Sequence, residues 1–160
     1  MSGFIEFWRI APDTPDYEAH DLSGKGAEKT GGRWNQKGTA MIYASASRSL
    51  ACLETVVHLS GGIPLPLNRY LVQVLIPIAA WNARATFAPD DHVGWDAEPA
   101  GKVSIDWGTA WAKSKATPLA QVPSAIVPEE HNILINPQHS EAAKVKATKV
   151  RKWTYDFRLK

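Results

Sequence analysis

Residues 41–59, MIYASASRSLACLETVVHL, join a short strand to an amphipathic helix, and this pair of elements indicates the fold class of the whole chain. Residues 41–45 mix β-branched, aromatic and small side chains, which predicts a short strand. Ser45 or Ser47 can cap the helix that follows. We expect the helix to run to the end of this stretch and to stop at the pair Gly61-Gly62.

One glutamate lies at the margin of the apolar face of this helix. Leu50, Leu53 and Val57 form a stripe at helical spacing, and Glu54 lies about 40° round from the first of them. Glutamate is seldom buried alone, so Glu54 is either paired in the core or faces a cleft. His58 lies one turn further along, but no second histidine at zinc spacing and no cysteine cluster accompany it. We therefore expect no metal site.

The segment before the strand, residues 11–39, is predicted to be a long loop. It is rich in glycine, and long loops in compact domains tend to carry function. Its spacing matches neither a phosphate-binding P-loop nor the dinucleotide fingerprint. Arg33 offers a planar fork suited to a pyrophosphate, and Trp34 beside it offers an aromatic plane. The alternatives are an arginine paired with a carboxylate and a tryptophan packed in the core.

The remaining elements follow from apolar periodicity and turn residues. Strands are expected over residues 4–10, 70–77, 125–127, 132–136 and 153–159. A helix is expected over residues 104–116, and residues 81–101 are expected to be irregular. The chain shows no repeat or linker, so we predict one α+β domain over residues 1–160.

Composition limits the class of protein. The chain has 160 residues, 44% of them apolar and 21% charged, which suits one domain with a sizeable core. Its net charge is +2, and residues 141–160 hold seven basic and two acidic side chains, for which we favour a solvated helix or loop over a nucleic-acid face. The single cysteine, Cys52, allows no intrachain disulfide and indicates a reducing compartment. With no secretory leader and no long apolar run, a cytoplasmic location is expected.

Short motifs, in order along the chain, resemble the RES domain family. They are Arg9 in Phe-Trp-Arg-Ile, residues 22–27, residues 31–35, residues 42–45, residues 53–58, residues 122–124 and residues 129–139. The family is named for an arginine, a glutamate and a serine, which map here to Arg33, Glu54 and Ser124. The resemblance covers nearly the whole chain.

This resemblance implies a fold and an activity. The fold would be similar to that of ADP-ribosyltransferase toxins, with a split β-sheet core and flanking helices. The function would be that of a toxin from a bacterial toxin–antitoxin pair, with NAD+ as its substrate and no metal. Some relatives degrade NAD+, and others transfer ADP-ribose to a protein. The implied partner is an antitoxin similar to Xre-type helix-turn-helix proteins, through which any contact with nucleic acid would be indirect.

Cleavage of NAD+ builds positive charge on the ribose carbon, which a nearby carboxylate stabilises. The implied catalytic residues are Glu54 at this carbon, Arg33 at the pyrophosphate, Tyr43 stacked on nicotinamide, and Ser124 bonded to the ribose or the glutamate. The implied NAD+-binding residues are Arg9, Ser23, Gly24, Trp34, Asn35 and Asn132. Whether Arg9 or Arg33 is the main phosphate clamp stays open. A non-catalytic binding module is the rival interpretation, and the acidic body of the chain counts against a nuclease.

Overall fold

Seven strands and four helices account for most of the regular structure within residues 3–59 and 64–159, which a computed structural model describes. The strands are β1 (Phe4–Pro12), β2 (Ile42–Ser45), β3 (Arg69–Pro77), β4 (Ala85–Thr86), β5 (Leu119–Pro123), β6 (His131–Ile135) and β7 (Lys146–Lys152). The helices are α1 (Lys25–Thr30), α2 (Arg48–Val56), α3 (Ile78–Asn82) and α4 (Lys102–Ser114). The strands form one mixed sheet in the order β4-β5-β6-β2-β1-β3-β7. The α+β class is confirmed.

The sheet divides between β1 and β2. β1 pairs with β3 along its whole length, and β2 pairs with β6 along its whole length. Within the described part of the chain, β1 and β2 pair with each other only at Trp8 and Ser45. Their facing edges diverge beyond this point and leave a gap. The split sheet core expected from the resemblance is therefore present.

Apolar residues are buried on both faces of the sheet. α3 covers one face, over a cluster that includes Phe7, Ile42, Val72, Val74, Ile76 and Ile133. On the other face, α2 covers a cluster that includes Trp8, Ile10, Ala51, Val56 and Leu71. α4 covers a neighbouring cluster on that face, which includes Trp34, Met41, Phe87, Trp95, Trp111 and Leu134. Because α2 lies over β1 and α4 lies over β5 and β6, the gap in the sheet falls between these two helices.

Several predicted elements are confirmed near their expected bounds. β1, β2, β3, β6 and α4 correspond to the predictions over residues 4–10, 41–45, 70–77, 132–136 and 104–116. Of the two candidate caps for α2, Ser47 is the one used, and its Oγ accepts a hydrogen bond from the Leu50 amide at 3.1 Å. α2 ends at Val56, and a hydrogen-bonded turn continues to Leu59. The expected stop at Gly61-Gly62 lies outside the described residues.

The apolar face of α2 differs from the predicted stripe. Leu50 and Ala51 are buried, whereas Leu53 is 38% exposed and Val57 is 55% exposed. At about 100° per residue, Glu54 falls between Leu50 and Ala51, near the middle of the inward face. The prediction erred because it counted large apolar residues and ignored alanine. Glu54 is therefore set deeper towards the sheet than the sequence indicated.

The prediction of a strand over residues 125–127 was wrong. The Oγ of Ser124 accepts hydrogen bonds from the amides of Ile126 and Val127 at 3.1 and 3.2 Å, which bends the chain into a turn. The strand lies just before this turn, as β5. Residues 81–101, expected to be irregular, include the end of α3, β4 and a short 3₁₀ turn.

The prediction of a loop throughout residues 11–39 was wrong for residues 25–30, which form α1. Gly24 before α1 and Gly31 after it have φ values of 75° and 71°. This left-handed conformation favours glycine. Part of the glycine content of the segment therefore sets the two ends of a short helix.

The basic segment near the C-terminus is an edge strand, not the solvated helix or loop that its charge suggested. β7 pairs with β3, and its Lys149 forms ion pairs with Asp13 at 2.8 Å and Glu18 at 3.4 Å. The alternating residues 153–159 form no strand, and Phe157 is 80% exposed, because β7 already occupies the edge of β3. None of the described helices has the length and apolarity needed to cross a membrane.

Candidate active site

The gap between β1 and β2 opens into a cleft of about 1130 Å³. Its walls come from the end of β1, residues 24–34, β2, α2 and residues 96–100. Ligand pockets usually measure about 300–1,000 Å³, so this cleft has room for a dinucleotide. A smaller cavity of about 470 Å³ lies against Ile42 and Ile135 and contains none of the expected site residues.

Glu54 lines this cleft, and its carboxylate is fixed through one oxygen. Oε2 accepts hydrogen bonds from Ser124 Oγ at 2.8 Å and from Asn132 Nδ2 at 2.5 Å. No donor among the described residues contacts Oε1. The sequence left two alternatives for Glu54, a paired glutamate and a cleft-facing one, and both describe it. A carboxylate with one anchored and one free oxygen can face a developing positive charge without reorganising.

Ser124 acts on Glu54 and not on the cleft. Its side chain is fully buried and does not belong to the cleft wall. Because its oxygen already accepts hydrogen bonds from the amides of Ile126 and Val127, its proton is left for Glu54. Of the two expected uses of Ser124, the geometry favours the bond to the glutamate over a bond to the ribose.

Asn132 and Ser45 complete the surroundings of Glu54. They lie directly opposite each other on β6 and β2, and both line the cleft. Ser45 Oγ donates to Asn132 Oδ1 at 2.7 Å. Apart from its place in the motif of residues 42–45, sequence reasoning considered Ser45 only as a helix cap. No sequence signal could have joined it to Asn132, because their contact arises from the register of two strands distant along the chain.

Tyr43 presents its ring to the cleft while its hydroxyl is used behind the wall. The hydroxyl donates to Asn35 Oδ1 at 2.5 Å and accepts from the Trp34 amide at 3.1 Å. Burial raises the pKa of the Tyr43 phenol far above its ordinary value, so the group stays protonated. Gly32 makes room for it, because a Cβ there would lie 2.8 Å from the Tyr43 hydroxyl. The ring can therefore stack on a flat ligand, but the hydroxyl is not free to exchange protons.

Asn35 supports the loop instead of the cleft. Its Nδ2 donates to the carbonyls of Ala27, Gln36 and Thr39 at 2.8, 3.2 and 3.0 Å, and it is 1% exposed. It does not belong to the cleft wall. The expected direct contact between Asn35 and the ligand is therefore not supported by the geometry. Its amide is consumed in holding residues 27–39 in one shape.

Trp34 is a core residue at the back of the cleft. It is 2% exposed and packs against the rings of Phe87, Trp95 and Trp107, with centroid distances of 4.8, 6.2 and 5.9 Å. Such an arrangement suits edge and stacked aromatic packing. The alternative of a packed tryptophan describes this residue better than an open stacking surface for a ligand.

Arg33 is already engaged with one wall of the cleft. Its Nη1 donates to the carbonyls of Trp95 and Ala97 at 3.2 and 2.8 Å, and its Nη2 pairs with Glu98 at 2.9 Å. The Arg33 side chain is 18% exposed, whereas that of Glu98 is 80% exposed. The paired arginine that the sequence left open is therefore observed, although Arg33 still lines the cleft.

Arg9 is the arginine with a free guanidinium. It lies in the part of β1 that diverges from β2, and it lines the cleft. Its guanidinium makes no hydrogen bond and no ion pair with any described residue. Burial lowers the pKa of the Arg9 guanidinium, and the charges of Asp21 and Tyr17 oppose that shift. A desolvated cation without a direct partner is costly, and an anionic ligand would supply the missing partner.

The loop before α1 contributes backbone to the cleft. Gly24 lines it, and a Cβ at this position would lie 2.8 Å from the Met41 amide nitrogen. Ser23, the other expected contact here, does not line the cleft, and its hydroxyl donates to the carboxylate of Asp21. Sequence reasoning also missed four acidic residues of the cleft wall, which lie outside any motif: Glu18, Asp21, Asp96 and Glu98. In the described part of the chain, no group of acidic, histidine or cysteine side chains is placed to hold a metal ion.

The cleft of this α+β fold thus combines a carboxylate anchored through one oxygen with an arginine whose guanidinium has no hydrogen-bond partner among the described residues. Comparison with known proteins then gives the family. The model of the RES domain matches residues 6–158, so the chain belongs to the RES domain family.

Named relatives are similar over most of their length. A protein of Sphingobium sp. (strain YBL2), named Prs ADP-ribosylating toxin, is 59% identical over 96% of this chain and 95% of its own. A protein named Toxin Res from Yersinia enterocolitica is 41% identical over 77% of this chain and 79% of its own. Another Toxin Res, from Pseudomonas putida, is 34% identical over 95% of this chain and 97% of its own. The family resemblance seen in the sequence is confirmed.

Proposed function

We propose that this chain is a toxin that cleaves NAD+ and transfers ADP-ribose to an acceptor. The observation that carries the proposal is Glu54, which lines the cleft while its carboxylate is anchored through Oε2 and has no donor among the described residues on Oε1. The name of the Sphingobium relative supports ADP-ribosyl transfer as the reaction. A non-catalytic binding module would not need a carboxylate held in this way.

The cleft offers NAD+ enough room and a cation without a direct partner among the described residues. Arg9 would bind the pyrophosphate, because its guanidinium lacks a partner among the described residues and can donate two parallel hydrogen bonds. The backbone at Gly24 would approach the same group. The ring of Tyr43 would contact nicotinamide. Arg33 would add positive charge near the pyrophosphate while it holds residues 95–98 in place.

Glu54 would act on the ribose carbon that bears nicotinamide. As the bond from this carbon to nicotinamide breaks, its electron pair leaves with nicotinamide and positive charge grows on the sugar. Oε1 of Glu54 would stabilise that charge, while Asn132 and Ser124 hold the carboxylate still. An acceptor oxygen or nitrogen would then bond to the same carbon and lose its proton. NAD+ is a substrate in this scheme, and no metal takes part.

The acceptor is proposed to be a protein. At 59% identity, the relative named for ADP-ribosylation of Prs favours the same kind of acceptor for this chain. Water or phosphate as acceptor, which would make the chain a degrader of NAD+, is the second candidate. The relatives named Toxin Res support a toxin–antitoxin pair, and we propose a cytoplasmic location and an Xre-like antitoxin as the partner.

Incubation of purified protein with NAD+ labelled in its adenine separates these outcomes. We expect nicotinamide release, with label on protein when a bacterial lysate is supplied. Label recovered only as free ADP-ribose would identify a glycohydrolase, and label recovered as ADP-ribose joined to phosphate would identify a phosphorolytic enzyme. Unchanged NAD+ under every condition would favour the binding module.

A further inference from the structure

A chain of three hydrogen-bonded side chains crosses the site from the strand edge to the carboxylate. Ser45 Oγ donates to Asn132 Oδ1 at 2.7 Å, and Asn132 Nδ2 donates to Glu54 Oε2 at 2.5 Å. Ser45 is 4% exposed and is the last residue of the strand motif over residues 42–45. No role in the site was expected for it.

The chemistry of the three groups fixes the direction of this chain. An ionised carboxylate only accepts hydrogen bonds, so Asn132 must turn its Nδ2 towards Glu54. Its Oδ1 then points the other way and needs a donor. Among the described residues, the Ser45 hydroxyl is the donor that it finds. Without that hydroxyl the Asn132 oxygen loses its donor at a half-buried position, and the amide is held only by its contact with Glu54, so it is less firmly oriented.

The sheet holds Ser45 at a point that cannot shift easily. Ser45 pairs with Asn132 on one side and with Trp8 on the other, and the latter pair joins the two halves of the split sheet. Residues opposite each other on neighbouring strands share a face, so both side chains point towards α2. The hydroxyl is therefore placed by three strands at once, at the apex of the cleft.

We propose that Ser45 is a positioning residue, which sets the amide orientation of Asn132 and through it the carboxylate of Glu54. The proposal deepens the proposed function and rests on the role of Glu54 in it. Ser45 does not act on the ligand in this scheme. Its removal should therefore reduce kcat and leave the KM for NAD+ nearly unchanged, since the phosphate contacts lie elsewhere.

Two substitutions at Ser45 and one control test this by steady-state kinetics. Ser45→Ala should lower kcat about tenfold, the effect of one lost hydrogen bond to a group that must stay fixed. Ser45→Thr keeps the hydroxyl and should restore most of the activity. Ser49→Ala removes an exposed serine from the first turn of α2 and should leave kcat unchanged. A kcat for Ser45→Ala within about twofold of the parent, or no recovery in a folded Ser45→Thr, would overturn the proposal.

A spectroscopic arm keeps the test independent of turnover. The side-chain amide signal of Asn132 in a ¹⁵N–¹H spectrum, assigned with Asn132→Asp, should shift in Ser45→Ala and stay in place in Ser49→Ala. An unchanged amide signal in Ser45→Ala would show that Ser45 does not orient Asn132. If the parent protein leaves NAD+ intact, the proposed function fails, while this spectrum still decides the orienting role of Ser45.

Discussion

Arg9 and Arg33 line the same cleft but differ in what their guanidinium groups already contact. Nη1 of Arg33 donates to two backbone carbonyls, and Nη2 pairs with the carboxylate of Glu98. The Arg9 guanidinium has no hydrogen-bond partner among the described residues, and burial lowers its pKa. The energetic need for an anion is therefore greater at Arg9.

Replacement of each arginine by lysine measures this difference. We expect Arg9→Lys to weaken the binding of ADP-ribose about tenfold, because lysine keeps the charge but loses the planar fork. Arg33→Lys should weaken it less, because its main contacts are with residues 95–98. Titration calorimetry with ADP-ribose, which keeps the pyrophosphate and lacks nicotinamide, checks both. A larger loss in Arg33→Lys would make Arg33 the clamp.

Individual residues were predictable where chemistry constrained them locally. Glu54 could be identified as a candidate because glutamate is rarely found on the apolar face of a helix unless it is paired or functional. Ser45 could not, because its importance depends on the register between β2 and β6. Trp34 and Asn35 lie in the right loop, yet their side chains turn into the core, a choice that depends on packing against α4 and β2.

At the scale of elements, α4 approaches the loop before β2 unusually closely. A Cβ on Gly108 of α4 would lie 1.9 Å from the carbonyl oxygen of Trp34. Glycine is thus what lets the helix rest on that backbone. This contact supports the wall of the cleft that Trp34 and Arg33 help to form.

Gly108→Ala should therefore separate α4 from the loop. We expect a loss of about 3 kcal/mol in the free energy of unfolding, since overpacking against backbone finds little room to relax. Gly3→Ala is the control, because a Cβ at this position would have no atom within 4 Å. Urea unfolding of both variants checks the expectation. Equal urea midpoints for the two variants would mean that the loop before β2 moves aside without loss of stability.

Elements with strong local sequence signals were predicted well. The strand at the edge of β3 was not, because two segments of the chain could have paired there. β3 is rich in apolar residues and α2 has a serine cap, so both were found. β7 was missed because its sequence is basic, and its pairing reflects the free edge of β3. Residues 153–159, which alternate in apolar character, form no strand there. Sequence periodicity does not say which of two segments takes an edge.

At the scale of the molecule, the cleft between the two halves of the sheet is the place where an inhibitor would act. An antitoxin segment with an acidic side chain or a terminal carboxylate would fit the positive charge of Arg9 and Arg33. We predict that expression of the chain alone is lethal and that co-expression of its antitoxin restores growth. We also predict that the antitoxin competes with NAD+.

Titration of the purified complex with NAD+ tests the mode of inhibition. Blockade of the cleft predicts that the complex binds NAD+ much more weakly than the free protein does. Equal affinity of the complex and the free protein would mean that the antitoxin inhibits by altering geometry and not by occupying the cleft.

Nicotinamide release by Glu54→Gln is the most direct test of the account. The glutamine carbonyl can still accept from Ser124 and Asn132, so the variant should fold and unfold like the parent. Loss of the charge should lower kcat at least about 100-fold. Glu129→Gln, at an exposed glutamate, should release nicotinamide at the parent rate. Normal turnover by a folded Glu54→Gln protein would contradict the central role of this carboxylate.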